Sequence, residues 1–155
     1  MQTTADTGDP SRAVKIAPDS PWLAPLAGFS DAPFRMLCRE YGAAVACTEM
    51  VSAKGLVYGG RETRDLTRSP DPDRPLVVQL FGEDPYFLRE AVRLLLELGH
   101  SLFDLNAGCP VKKVVKTGAG AGLLREPKRL RGILEGMVEL AGPGRVGVKL
   151  RSGFR

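Results

Sequence analysis

PLVVQLFGEDPYFLREAVRLLLELGHSLFDLN, residues 75–106, decides the fold. PLVVQLFG (75–82) is a continuous apolar run broken only by Gln79, the pattern of a parallel strand covered on both faces. Asp84-Pro85 opens a helix: the carboxylate caps it, and proline fits the first turn because its missing N–H would have no partner there. Leu88, Ala91, Val92, Leu95 and Leu98 recur at helical spacing and predict one buried stripe, which Gly99 ends. SLFDLN (101–106) is a second apolar strand. Strand, helix and strand at this spacing make a βαβ unit and hence a parallel sheet.

The same alternation continues on both sides. WLAPLAG (22–28) and AAVACTEM (43–50) read as strands, separated by a helix with Ser30 or Asp31 as cap and Pro33 in its first turn. On that helix Phe34, Leu37, Cys38 and Tyr41 predict a buried face, and a helical patch follows at 52–58. GGRETRDLTRSPDPDRP (59–75) is polar and proline-rich, a surface connection with Arg61, Arg64, Arg68 and Arg74 in solvent. Beyond residue 106 come a Gly- and Lys-rich loop (106–122), a helix over 127–140 and a fifth strand, VGVKLRSG (146–153). The expected fold is α/β, a partial (β/α)8 barrel of about five strands and four helices over residues 21–155, behind a disordered leader (1–20). An open doubly wound sheet also fits the order, but no G-x-G-x-x-G joins a strand to a helix. A complete barrel takes about 250 residues, so a sequence that stops just after its fifth strand is expected to be the first part of one.

Composition narrows the class. With 43% hydrophobic and 26% charged residues the chain can bury a core, so wholesale disorder is excluded. No apolar run reaches the roughly 20 residues of a membrane-spanning helix, and the polar start lacks a secretory signal, so a cytoplasmic protein is expected. Three widely spaced cysteines without a Cys/His cluster offer neither a disulfide framework nor a metal site. A net charge of +4 permits an anionic partner without requiring one.

Candidate chemistry gathers where the strands end, as it does in barrels. Thr48 and Glu49 end the second strand, Gln79 sits in the third, Asp104 and Asn106 end the fourth, and Lys149 and Arg151 belong to the fifth. Each has a bland reading as a satisfied or snorkelling side chain; together, at one end of one sheet, they point to a site. Cys109 lies just past a strand end in Asn106-Ala-Gly-Cys-Pro110, near Lys112, Lys113 and Lys116, which attract phosphate. Gly118, Gly120 and Gly122 suit a loop that moves over substrate. Cys38 and Cys47 fall in apolar patterns and read as buried hydrophobes. His100, in a helix-to-strand turn at the opposite end, reads as structural or exposed.

APLAGFSDAPFR (24–35), TEMVSAKGL (48–56), VVQLFG (77–82), DLNAGCPVKKVVKTGAGAGLL (104–124) and VKLRSGF (148–154) resemble the N-terminal barrel half of the tRNA-dihydrouridine synthases, most closely the bacterial B-type branch. The likeness runs from Trp22 to Arg155. It implies FMN reduced by NADPH, hydride transfer to C6 of a tRNA uridine, and a loop cysteine giving the proton to C5. Carried over, Cys109 is that acid. Pro25, Leu26 and Ala27 would rest against the flavin, with Gln79 and Lys149 at its polar edge. Asn106 and Arg151 would face the uridine or its phosphate. Lys112, Lys113 and Lys116, with Arg35 and Arg39, would touch the RNA backbone. No metal and no membrane partner are implied.

The sequence departs from the family at Ala107, where relatives commonly carry a bulkier residue. The family's later histidine, its Gly-rich segments for the FMN phosphate and its helical tRNA-binding domain do not lie within these residues. The implied consequence is that this chain alone binds FMN weakly and lacks synthase activity. Two other readings stand beside this one: a flavin barrel acting on a free pyrimidine, like the dihydroorotate dehydrogenases, and a non-catalytic RNA-binding remnant.

Overall fold

The computed structural model describes residues 19–154; most of the expected leader lies outside that range. Six strands form one parallel sheet: β1 (Trp22–Leu23), β2 (Val45–Cys47), β3 (Val51–Ser52), β4 (Leu76–Phe81), β5 (Leu102–Asn106) and β6 (Val146–Lys149). Their order is β1-β2-β4-β5-β6, with β3 pairing the carboxyl end of β4. The helices are α1 (Ala32–Glu40), α2 (Ala53–Val57), α3 (Arg61–Asp65), α4 (Pro85–Glu97), α5 (Lys112–Val115) and α6 (Pro127–Ala141), with a 3-10 turn at Gly120–Arg125. The partial (β/α)8 barrel expected from the sequence is the observed architecture.

Alternation along the strands sorts side chains between two faces. Val78, Leu80, Phe103 and Leu105 are buried with Leu88, Val92 and Leu95 of α4 and Ile133 and Met137 of α6, forming the main core. Burying each such side chain stabilises the fold by about 1.5–3 kcal/mol. The opposite, inner face carries a small apolar layer of Val45, Cys47 and Val77. One register layer further along, polar residues replace it.

Several elements differ from expectation for identifiable reasons. The second strand breaks at Thr48, whose hydroxyl oxygen accepts the Gln79 N–H at 3.1 Å in place of a main-chain partner. The first strand stops at Leu23 because residues 24–30 fold into a turn: Ser30 Oγ accepts the Leu26 N–H at 2.9 Å, and the Leu26 carbonyl accepts the N–H groups of Phe29 and Ser30. The fifth strand ends at Lys149, leaving Arg151 beyond it.

The largest correction concerns α1. Its expected inner face is wrong: Leu37 and Tyr41 are exposed, whereas Arg35 is only 1% exposed. Arg35 Nε donates to Asp73 at 2.7 Å, and its other nitrogens donate to the carbonyls of Ser30 and Arg68. Arg39 shares the same carboxylate at 3.0 Å and donates to the Pro75 carbonyl at 2.8 Å. Arg35 and Arg39 are therefore structural ion partners of a fully buried Asp73, not contacts for an RNA backbone. The connection 59–75, expected to be plain surface, holds α3 and supplies that anion.

Candidate active site

Parallel register brings the strand-end polar residues onto the inner face. Gln79 lies opposite Asp104 across β4 and β5, and Asn106 opposite Lys149 across β5 and β6. Gln79 Nε2 donates to Asp104 Oδ2 at 2.6 Å. Asn106 Nδ2 donates to Gln79 Oε1 at 3.0 Å. Asn106 Oδ1 then accepts the N–H of Gly108 at 3.2 Å and of Cys109 at 2.9 Å. The carboxylate of Asp104 is acceptor only, so it sets both amide orientations in turn and leaves the Asn106 oxygen facing the cysteine loop.

Burial raises the Asp104 carboxyl above its ordinary value, while the Gln79 hydrogen bond and Lys149 oppose the rise. Cys47, buried on the same face, has its thiol pushed up to about 12, chiefly by desolvation and then by the Asp104 charge. It is an inert thiol, as the sequence suggests. Gly147 lies across from Asp104, where a β-carbon would come within 3.2 Å of the carboxylate, so its smallness makes room for the anion.

Cys109 is held from a second side. Its carbonyl accepts the Ala121 N–H at 3.0 Å. Gly120 sits at φ +58°, and a β-carbon there would lie 2.7 Å from the Cys109 carbonyl oxygen. The segment expected to be a long loop is thus partly built: α5 and the 3-10 turn bury Val114, Ala121 and Leu123. Gly120 serves close packing onto Cys109.

Two concavities flank these residues. One, of about 410 Å³, is walled by Pro25, Cys47, Asp104 and Lys149 among others. The other, of about 450 Å³, is lined by Pro110, Lys112, Lys116, Arg125, Arg151 and Phe154, with the Arg125 guanidinium 3.6 Å above the Phe154 ring. Pro25 and Lys149 therefore share one hollow, and Lys112, Lys116 and Arg151 share the other. Leu26, Ala27 and Lys113 are exposed and line neither. Sequence reasoning gave no role to Asp104 or Glu49. Asp104 anchors the amide chain, and Glu49 accepts the Gly28 N–H, tying the 24–30 turn to the end of β2. A carboxylate at the end of an apolar strand was the available signal for both; their hydrogen-bond partners were not legible. Among the described residues no three His, Cys, Asp or Glu side chains cluster to hold a metal, and no helix is long and apolar enough to cross a membrane.

A parallel half-barrel with polar side chains gathered at the carboxyl ends of its strands defines a barrel of the enzyme type. Residues 22–155 match the dihydrouridine synthase (Dus) family, and the chain belongs to it. It is 39% identical over 132 residues to tRNA-dihydrouridine synthase B of Pseudomonas aeruginosa, covering 85% of this chain and 40% of that protein. It is 38% identical over 138 residues to the probable tRNA-dihydrouridine synthase of Treponema pallidum, covering 86% and 41%. The chain thus spans about two-fifths of the length of these relatives. A solved variant of NCR from Zymomonas mobilis shares the fold, with a TM-score of 0.51 at 16% identity over 84% of this chain and 53% of that one.

Proposed function

We propose that the protein containing this chain reduces a uridine of tRNA to 5,6-dihydrouridine, with FMN as cofactor and NADPH as reductant. The observation that carries this reading is the placement of Cys109, fixed by Asn106 and Ala121 beside a polar inner face. The donor set suits a flavin. Gln79 uses one N–H and one lone pair within the protein and is fully buried beside the hollow rather than on its wall, so a ring edge would meet the remaining pair only where the inner face opens to it. Lys149, on the wall of the 410 Å³ hollow with Pro25, supplies a cation for the polar edge. When bound, the flavin supplies the hydride that reaches uracil C6.

The chain's own part is the proton. Cys109 gives its thiol proton to C5 and recovers one from solvent, which balances the addition of hydride and proton across the double bond. Asn106 holds the cysteine backbone, and Arg151 faces the uridine or its phosphate. Lys112, Lys113 and Lys116 meet the RNA backbone, a sequence-independent contact for a base that must leave its stack. Among the described residues β1 and β6 are the edges of the sheet, and the hollow with Pro25 and Lys149 lies between them. The protein works in the cytoplasm, where tRNA is its substrate.

The deciding experiment replaces Cys109 by Ala in the full-length protein. Dihydrouridine yield on tRNA should fall by about 10²-fold or more, with flavin absorbance retained. Undiminished yield removes the acid assignment, and turnover of free uracil or dihydroorotate in preference to tRNA replaces the substrate class.

A further inference from the structure

The four arginines of the 59–75 connection converge. Arg61, Arg64, Arg68 and Arg74 line one cavity of about 700 Å³, whose wall also includes His100. The cavity lies at the amino ends of the strands: Arg74 precedes β4 and His100 precedes β5. It is therefore at the end of the sheet opposite Cys109, outside the site described above. Among the described residues Asp65 is the one carboxylate in its lining, and it pairs with Arg68 at 3.0 Å. Among the described residues Arg61, Arg64 and Arg74 have no carboxylate within ion-pair distance.

Arg61, Arg64 and Arg74 are exposed, so solvent screens their mutual repulsion, but an anion with several charges can engage more than one of them at once. The hollow is also built. Arg35, itself buried on Asp73, donates to the Arg68 carbonyl at 3.0 Å. Ser69 Oγ donates to the Asp73 carbonyl at 3.2 Å, and Thr67 Oγ to the Arg64 carbonyl at 2.7 Å. These bonds fix the backbone that carries the guanidiniums. His100 in the wall is only 7% exposed, and its Nδ1, shut off from solvent, has no hydrogen-bond partner among the described residues, so this wall carries an unmet polar atom just behind the hollow.

We propose that this cavity binds a small phosphorylated ligand of nucleotide size, its phosphates held by Arg61, Arg64 and Arg74. Guanidinium forks suit phosphate oxygens, and the volume suits a small organic ligand rather than a bare ion. The proposal does not depend on the chemistry assigned to Cys109.

Calorimetric titration of pyrophosphate and of ATP into the full-length protein tests it. Both should bind saturably with sub-millimolar Kd, and the double variant Arg64→Ala/Arg74→Ala should lose about tenfold or more of that affinity. A variant with the same charge change on helix surfaces, Arg93→Ala/Arg131→Ala, should stay within about twofold. Circular dichroism confirms that both fold, and Arg61→Ala gives a second reading if the first double variant does not. Absence of saturable binding overturns the proposal, as does an equal loss in both double variants. If a short RNA hairpin binds through Arg64 and Arg74 while pyrophosphate and ATP do not, the hollow reads an RNA backbone and the small-ligand assignment falls.

Discussion

Asn106 uses both ends of its amide: the nitrogen donates to Gln79, and the oxygen accepts two N–H groups of the cysteine loop. Its two obvious substitutions therefore separate the two jobs. Asn106→Asp keeps the acceptor for Gly108 and Cys109 but loses the donor to Gln79, whereas Asn106→Ala loses both. Activity should fall further in the Ala variant, by about 10² against wild type, because displacement of a reacting group by about 1 Å costs that much. Parallel rates for the two variants would show that the loop is held by other bonds. His100 gives a second prediction. Burial, then the charges of Arg74 and Arg35, lower its pKa from the ordinary 6.5. Above 6.5 both folded and unfolded states are neutral here. As pH falls through 6.5 the unfolded chain takes up a proton that the folded chain refuses, so stability is lost from there down to the folded value. It is the single histidine of the sequence. Urea midpoints at pH 7.5 and 5.5 should therefore diverge less in His100→Gln than in wild type.

At the scale of elements, Gly120 is the position where the 3-10 turn meets the cysteine. Alanine there is strained by the positive φ and strikes the Cys109 carbonyl, at a cost of about 2–4 kcal/mol. Gly120→Ala should lower the urea midpoint and alter the rate of Cys109 alkylation; an unchanged midpoint would mean that the turn yields freely. Which elements the sequence disclosed follows from their length and burial. β4, α4, β5 and α6 were readable because each buries apolar side chains at its own period over enough residues to show it. α5 has four residues, too few for a helical period to appear. The break at Thr48 depends on a hydroxyl bonding to a residue 31 positions away, which no local pattern encodes. α1 misled because its buried contact is a guanidinium, and an arginine at the inner position reads as solvent-facing until its anion is known. For the same reason Gln79, Asn106 and Lys149 were legible as polar intrusions in apolar strands, while their order of bonding was not.

On the scale of the whole molecule, one parallel sheet separates two ends that both carry cations but are built for different work. Polar amides and Cys109 occupy the carboxyl end, and four arginines the amino end. The motifs quoted for the family resemblance leave out the arginine connection, although the family match spans residues 22–155. The second end became visible only when the fold carried Arg74 and His100, 26 positions apart in the chain, to one wall. Asp73 also joins distant parts, since it clasps α1 to the loop that enters β4. Removing its charge strands a dry guanidinium, at a cost of about 3–5 kcal/mol. The consequence lies in how the native protein breathes. The N-terminal helix cannot swing away without exposing the loop, nor the loop without the helix, so the two open as one latch. Native-state hydrogen exchange should give amides of α1 and of residues 66–74 a shared opening free energy, and Asp73→Asn should lower both together; separate opening of the two would show that the latch is not what holds them.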